Sequence, residues 1–220
     1  MKRQTLQKLI KWLVKVLTRT SFLGLEHVPT SGALIVATNH MSYIDIPLLF
    51  VNPARPDITA LVTTKYQRHF LFSWLVKVAN AIWINRDIAD FSAMRTASQA
   101  LQEGKALGIS PEGTRSHTSQ LLPGKPGILL LALKSNAPIV PVAIYGTEKV
   151  FRRAFTFQRP RLTVHFGPAF HLPPLEKQNR EQQQQHNIDE IMCRIAALMP
   201  EKHWGHYKDH PRLKELMKES

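Results

Sequence analysis

Six short apolar runs, at 33–38, 58–63, 82–85, 106–110, 139–145 and 162–166, constrain this chain more than any other feature. Most of them lack the polar alternation of a half-exposed strand, which is the pattern of strands covered on both faces in a mainly parallel sheet. The stretches between them read as helices. Residues 89–103 have Asp87 or Asp90 to cap the first turn and Gly104 to end the helix, and 127–135 run apolar up to Asn136 and Pro138. Strands alternating with helices predict an α/β fold, a mainly parallel central sheet flanked by helices and joined by right-handed crossovers. The apolar segment 70–84 is shorter than the roughly 20 residues a spanning helix needs and carries Lys77 in its middle, so it is expected as a buried helix running into a strand. After residue 173 a glutamine-rich stretch (178–186) reads as a surface linker or helix start, 188–199 has helical spacing, and the end is polar. The predicted organisation is an N-terminal helix within 1–24, one domain over 25–200 and a polar C-terminal tail over 201–220.

Charge narrows the partners. Among 220 residues, 29 Lys and Arg face 16 Asp and Glu, a formal net charge of +13. Nucleic acid, an anionic membrane surface and a phosphorylated substrate all fit that sign. The single cysteine, Cys193, excludes a disulfide scaffold and a Cys-based zinc site and suits a reducing compartment. His203, His206 and His210 lack the carboxylate or Cys pattern of a metal site, and no metal is expected.

Lys2, Arg3, Lys8, Lys11, Lys15 and Arg19 all precede the first acid, Glu26. Wound as a helix, residues 4–20 place Leu6, Leu9, Ile10, Leu13, Val14, Val16 and Leu17 on one arc. Lys8, Lys11, Lys15 and Arg19 lie opposite, with Trp12 at the border. That is the pattern of a helix lying in a membrane interface, and equally of a helix packed on its own domain. Lys11 and Lys15 interrupt the apolar run, which argues against a signal peptide or a membrane span. A second basic cluster, Lys149, Arg152, Arg153, Arg159 and Arg161, is either a solvated face or another contact with a phosphate-rich surface.

Two stretches carry chemistry: NHMSYIDIP at 39–47 and SPEGTRS at 110–116. His40 follows a buried strand, and a strand–turn–helix can bring Asp45 back to one imidazole nitrogen. The other nitrogen is then left as a base, with the carboxylate fixing the tautomer. The spacing alone carries little weight, since His171/Glu176 and His210/Glu215 share it. Glu112 and Arg115 fall just past a strand's C-terminal end, where open α/β sheets hold their ligands. Gly113 permits unusual backbone angles, and Arg115 offers a planar fork for phosphate. Arg86 follows another strand end, and Lys125 lies in a loop before a helix. Together these residues predict a base beside an anion pocket at one sheet edge.

The NHMSYIDIP block resembles the His–x4–Asp block of the glycerol-phosphate and lysophosphatidic-acid acyltransferase family, and SPEGTRS resembles that family's PEGTR block. The order of the blocks matches as well, through IWINRD, the Lys125 loop and IVPVAI, over roughly residues 25–170. The resemblance implies His40 as general base and Asp45 as its orienting partner, with Glu112, Gly113, Thr114 and Arg115 binding the glycerol phosphate, helped by Arg86 and Lys125. It implies an acyl thioester, on coenzyme A or acyl-carrier protein, as donor substrate, lysophosphatidic acid as acceptor and no cofactor. It further implies work on phospholipid at the cytoplasmic face of the cell membrane, and favours the interfacial reading of the N-terminal helix. The sequence departs from the family pattern at Ser110, where an aromatic is common, at Ala81, where a glycine is common, and at Gly124–Lys125–Pro126, where Phe–Lys–Arg is frequent. Those departures leave the exact acceptor open.

Direct attack by the acceptor hydroxyl, without an acyl-enzyme, is the expected course. Cys193 is remote from the motifs, and Gly108–Ile109–Ser110–Pro111–Glu112 fails the nucleophile-elbow pattern at its last position. Two other readings remain: an acyltransferase for another lyso-lipid, such as a lysophospholipid or an amino-acid lipid, and a basic nucleic-acid-binding domain. The second lacks zinc-finger and RNP signatures and aromatic interleaving in its basic runs, so nucleic acid is not an expected partner.

Overall fold

The computed structural model describes residues 1–148, 150 and 158–219. In chain order the elements are α1 (Arg3–Leu17), β1 (Arg19–Leu23), β2 (Leu34–Thr38), α2 (Asp45–Phe50), β3 (Thr59–Thr63), α3 (Phe70–Val78) and β4 (Ile82–Ile84). They continue with α4 (Phe91–Gln102), β5 (Ala106–Ile109), α5 (Gly127–Ser135), β6 (Ile139–Tyr145), β7 (Arg161–Phe166), α6 (Arg180–Ala197) and α7 (Pro211–Glu219). The strands form one sheet in the order β1-β7-β6-β2-β5-β3-β4. β2 pairs in parallel with both β5 and β6, β3 with β5 and β4, and β1 with β7. Only β6 and β7 meet antiparallel, so β1 and β7 run against the other five strands.

Every residue of β2 is buried. Its side chains divide between two cores: Ile35 and Ala37 face Leu101 of α4, Ile128 of α5 and Ile191 of α6. Leu34 and Val36 face Val14 of α1 and Leu48 of α2 on the other side. The unbroken apolar runs follow from this double burial, since neither face of the central strands meets water. All six runs form strands, and the α/β class is as expected. Asp90 caps α4, accepting from the Ala93 N–H at 3.0 Å, and Gly104 ends that stretch at φ +76°.

Three departures from the sequence reading have physical reasons. The helix α1 ends at Leu17, where Thr18 turns to extended backbone and its hydroxyl donates to the Val14 carbonyl at 2.6 Å. Arg19 therefore lies in β1, an edge strand of alternating exposure that composition did not reveal. The segment expected as a buried helix, α3, instead presents Phe70 at 86% and Leu71 at 61% exposure and buries only Val76. The glutamine-rich stretch, by contrast, follows one of its two readings, a helix start, because α6 begins at Arg180. The region read as a polar tail folds onto the domain: Tyr207, Leu213 and Leu216 belong to the larger core, and the Trp204 indole N–H donates to the Ala196 carbonyl at 2.8 Å.

Of the second basic cluster, Lys149, Arg152 and Arg153 lie outside the described residues. Arg159 donates to the carbonyls of Lys15 and Thr18 at 2.8 and 3.2 Å, satisfying the C-terminal end of α1. Among the described residues, no helix is long and apolar enough to cross a membrane.

Candidate active site

Five parallel strands deliver their C-terminal ends to one edge, and the motif residues collect there. At the end of β2 the Asn39 side chain, fully buried, donates to the Ile144 carbonyl at 2.8 Å and accepts the Ile144 N–H at 2.7 Å. That pair locks the chain to β6 immediately before His40. His40 Nδ1 lies 3.0 Å from Asp45 Oδ2, and the same oxygen accepts the N–H groups of Met41 and Ser42 at 2.7 Å each. The turn from strand to α2 is thus wound around the carboxylate, which is 1% exposed. With Nδ1–H donated to Asp45, Nε2 is the nitrogen that carries a free lone pair.

The PEGTR loop grips the same residue through its backbone. Glu112 Oε1 accepts the His40 N–H at 2.9 Å, Glu112 Oε2 accepts the Leu122 N–H at 2.9 Å, and the His40 carbonyl accepts the Ser116 N–H at 2.8 Å. Expected to bind the acceptor, Glu112 instead turns inward and is 1% exposed. Burial pushes its carboxyl up to about 7, with the Asp45 charge adding to that and the two N–H groups opposing it.

Gly113 takes φ +66°, and a Cβ there would come within 3.0 Å of Lys125 Cδ, so the glycine lets the lysine lie across the loop. Lys125 is anchored by its own N–H on the Pro111 carbonyl at 2.8 Å. The Arg115 guanidinium stacks 3.9 Å from the Tyr43 ring centroid. The Tyr43 hydroxyl lies 3.1 Å from that of Tyr66, whose ring stacks on Phe72. The Tyr66 hydrogen bond, then the Arg115 charge, hold the Tyr43 phenol below its ordinary range.

A cavity of about 530 Å3 joins these groups. His40, Arg86, Gly113, Thr114, Arg115 and Lys125 line it, together with Lys65, Tyr66 and His117. Another part of its wall is apolar, formed by Leu6 and Ile10 of α1, Leu49 and Phe50 of α2, Leu61 of β3 and Leu75 of α3. All the expected site residues except Glu112 therefore border one space. Sequence reasoning missed Tyr43, Lys65, Tyr66 and the two α1 residues. Lys65 and Tyr66 follow the end of β3 just as Arg86 follows β4, so strand-end position was the signal available for them.

The model of the Acyltransferase family matches residues 19–145. The chain is 25% identical over 194 residues to the 1-acyl-sn-glycerol-3-phosphate acyltransferase of Borreliella burgdorferi, covering 87% of this chain and 76% of that protein. It is 28% identical over 157 residues to the protein of the same description from Bacillus subtilis, covering 69% and 77%. With that of Limnanthes douglasii it shares 36% identity over 150 residues, 66% of this chain and 52% of the plant protein. The crystal structure of the 1-acyl-sn-glycerophosphate (LPA) acyltransferase PlsC from Thermotoga maritima superimposes with a TM-score of 0.66 at 22% identity, over 89% of this chain and 79% of that one. That likeness shows the fold.

Proposed function

The chain belongs to the Acyltransferase family, and on that premise we propose that it moves a fatty acyl group from an acyl thioester to the free hydroxyl of 1-acyl-glycerol-3-phosphate, giving phosphatidic acid. The observation that carries the reading is the His40–Asp45 pair opening on a cavity with cationic groups on one part of its wall and apolar side chains on another. A lysophosphatidic acid needs both: cations for the phosphate monoester and an apolar wall for a chain.

In this scheme donor and acceptor bind together. The acceptor O–H gives its proton to His40 Nε2 as the oxygen attacks the thioester carbonyl carbon. Asp45 stabilises the imidazolium that forms. Collapse of the tetrahedral intermediate breaks the C–S bond, and the imidazolium proton goes to the departing thiolate. The acyl chain passes directly from donor to acceptor without an acyl-enzyme, and the histidine ends as it began. Arg86, Thr114, Arg115 and Lys125 hold the phosphate, with Gly113 giving the backbone room for close approach. Glu112 serves by fixing the His40 backbone. The donor, coenzyme A or acyl-carrier protein thioester, is a substrate, and the scheme needs no cofactor. The exposed stripe and lysine flank of α1 suit peripheral binding to an anionic membrane, at the cytoplasmic face where acyl thioesters are made.

The test is acyl transfer by the purified protein from acyl thioester to lysophosphatidic acid. His40→Ala is expected to lose at least about 100-fold in kcat, the usual worth of a positioned base. Wild-type turnover by that variant would refute the base. Arg115→Gln is expected to raise KM for lysophosphatidic acid far more than for an acceptor without a phosphate monoester. An equal effect on both would point to another lyso-lipid.

A further inference from the structure

The tip of α3 is apolar and exposed beside the site. Phe70 is 86% and Phe91 76% exposed, with Leu71 and Ile88 also turned to solvent. These residues come from two neighbouring turns, one opening α3 and one opening α4. Each turn borders the cavity: Phe72 and Tyr66 line it from the first, Arg86 and Asp87 from the second. Patches of this kind on a soluble face mark a contact surface.

Charge indicates what the contact is. From residue 58 to 86 the chain has no Asp or Glu, while Lys65, Arg68, Lys77 and Arg86 are all present. Of the acids that follow, Asp90 is turned onto the N–H groups of Asn85 and Ala93. Exposed aromatic side chains on a segment, residues 58–91, whose charges apart from Asp87 and Asp90 are all cationic are suited to the headgroup boundary of an anionic bilayer, where the rings enter the acyl region and the cations meet phosphates. The opposite, C-terminal end of α3 is held against α1. Leu75 and Val78 of α3 pack with Leu6 and Ile10 of α1 on the small core of Phe50 and Val51. The exposed Leu9, Trp12, Leu13 and Val16 of α1 therefore sit on the element next to it. A protein partner would need only a local patch, whereas two adjacent elements with the same apolar and cationic make-up fit an extended lipid surface.

We propose that Phe70, Leu71, Ile88 and Phe91 form a second lipid-docking surface, separate from α1, that seats the mouth of the cavity on an anionic bilayer. This rests on the reading of the cavity as a site for lipid substrates. It gives a route by which an acceptor passes from the membrane to His40 without crossing water.

The experiment uses the full chain and vesicles of phosphatidylethanolamine with phosphatidylglycerol, against vesicles of phosphatidylcholine alone. The double variant Phe70→Ser/Phe91→Ser is expected to bind the anionic vesicles at least about tenfold more weakly with α1 intact. Phe70→Leu/Phe91→Leu is expected to recover most of the binding. Turnover of long-chain substrate presented in vesicles should fall with binding, while turnover of short-chain, water-soluble donor and acceptor stays at the wild-type rate. Unchanged vesicle binding by the serine variant overturns the proposal. So does unchanged vesicle binding joined to a loss of turnover only with acyl-carrier protein as donor, which would assign the surface to that acidic protein. Because binding is read without catalysis, a wild type that binds vesicles through these residues yet acylates no lysophosphatidic acid refutes the function and leaves the surface standing.

Discussion

At the scale of single residues, two carboxylates a few positions from the ends of adjacent strands are put to different uses. Asp45 takes three N–H donors on one oxygen, one of them from the imidazole. Glu112 has only two backbone donors and deep burial, which raises its carboxyl to about 7 from an ordinary 4.5. The consequence is a pH-dependent stability. Between about 4.5 and 7 the folded chain holds a proton on Glu112 that the unfolded chain has released, so the stability Glu112 contributes is present below about 4.5 and is lost as pH rises through about 7. The effect is at most about 3 kcal/mol. Glu112→Gln removes this titration. Denaturant unfolding at pH 5 and pH 8 should therefore show a steeper loss for the wild type than for the variant. Parallel losses would mean that Glu112 is ionised throughout. Both carboxylates were legible in the sequence as members of motifs, but their division of labour was not. Which oxygen meets which backbone N–H depends on how two loops, some seventy residues apart in the chain, are brought together.

At the scale of elements, α1 shows why an amphipathic pattern does not identify its own partner. The apolar arc read from the sequence is split. Leu6 and Val14 are buried against the domain, while Leu9, Trp12, Leu13 and Val16 remain exposed, and Lys8, Lys11 and Lys15 occupy the remaining flank. The packed and interfacial readings are thus compatible, each using part of one wide arc. If the lysine flank meets anionic headgroups, replacing Lys8, Lys11 and Lys15 by Gln weakens binding to phosphatidylglycerol-containing vesicles by about 1 kcal/mol per lysine at low salt. The difference should shrink as salt rises. Equal binding of variant and wild type at low salt, measured by co-sedimentation, would count against the flank. The helix α3 teaches the complementary lesson. Its apolar composition matched a buried helix, yet its N-terminal turn stands out from the fold, because a run of apolar residues cannot say whether protein or lipid will cover it.

At the scale of the whole molecule, the C-terminal region completes the core that carries the site. Tyr207 is fully buried and its hydroxyl accepts the Gly124 N–H at 2.9 Å, beside the loop that bears Lys125. Leu213 is 1% exposed in the same core. Leu213→Ala is accordingly expected to cost about 2–5 kcal/mol in unfolding free energy. A change within about 0.5 kcal/mol, the range of an ordinary surface substitution, would show that this end is peripheral after all. Sequence by itself determined six of the seven strands and the fold class, since continuous apolar runs of strand length admit few arrangements other than a sheet covered on both faces. It also placed His40 and Asp45 in one short strand–turn–helix, but the spacing is shared with His171/Glu176 and His210/Glu215, so their pairing rested on the resemblance of the whole block until the fold set the distance. Tertiary structure alone decided that Glu112 faces inward, that β1 closes one edge of the sheet and that a polar-looking end supplies core. Each of these depends on a partner distant in the chain, and neither hydrophobic period nor local spacing carries information about which distant surface a residue will meet.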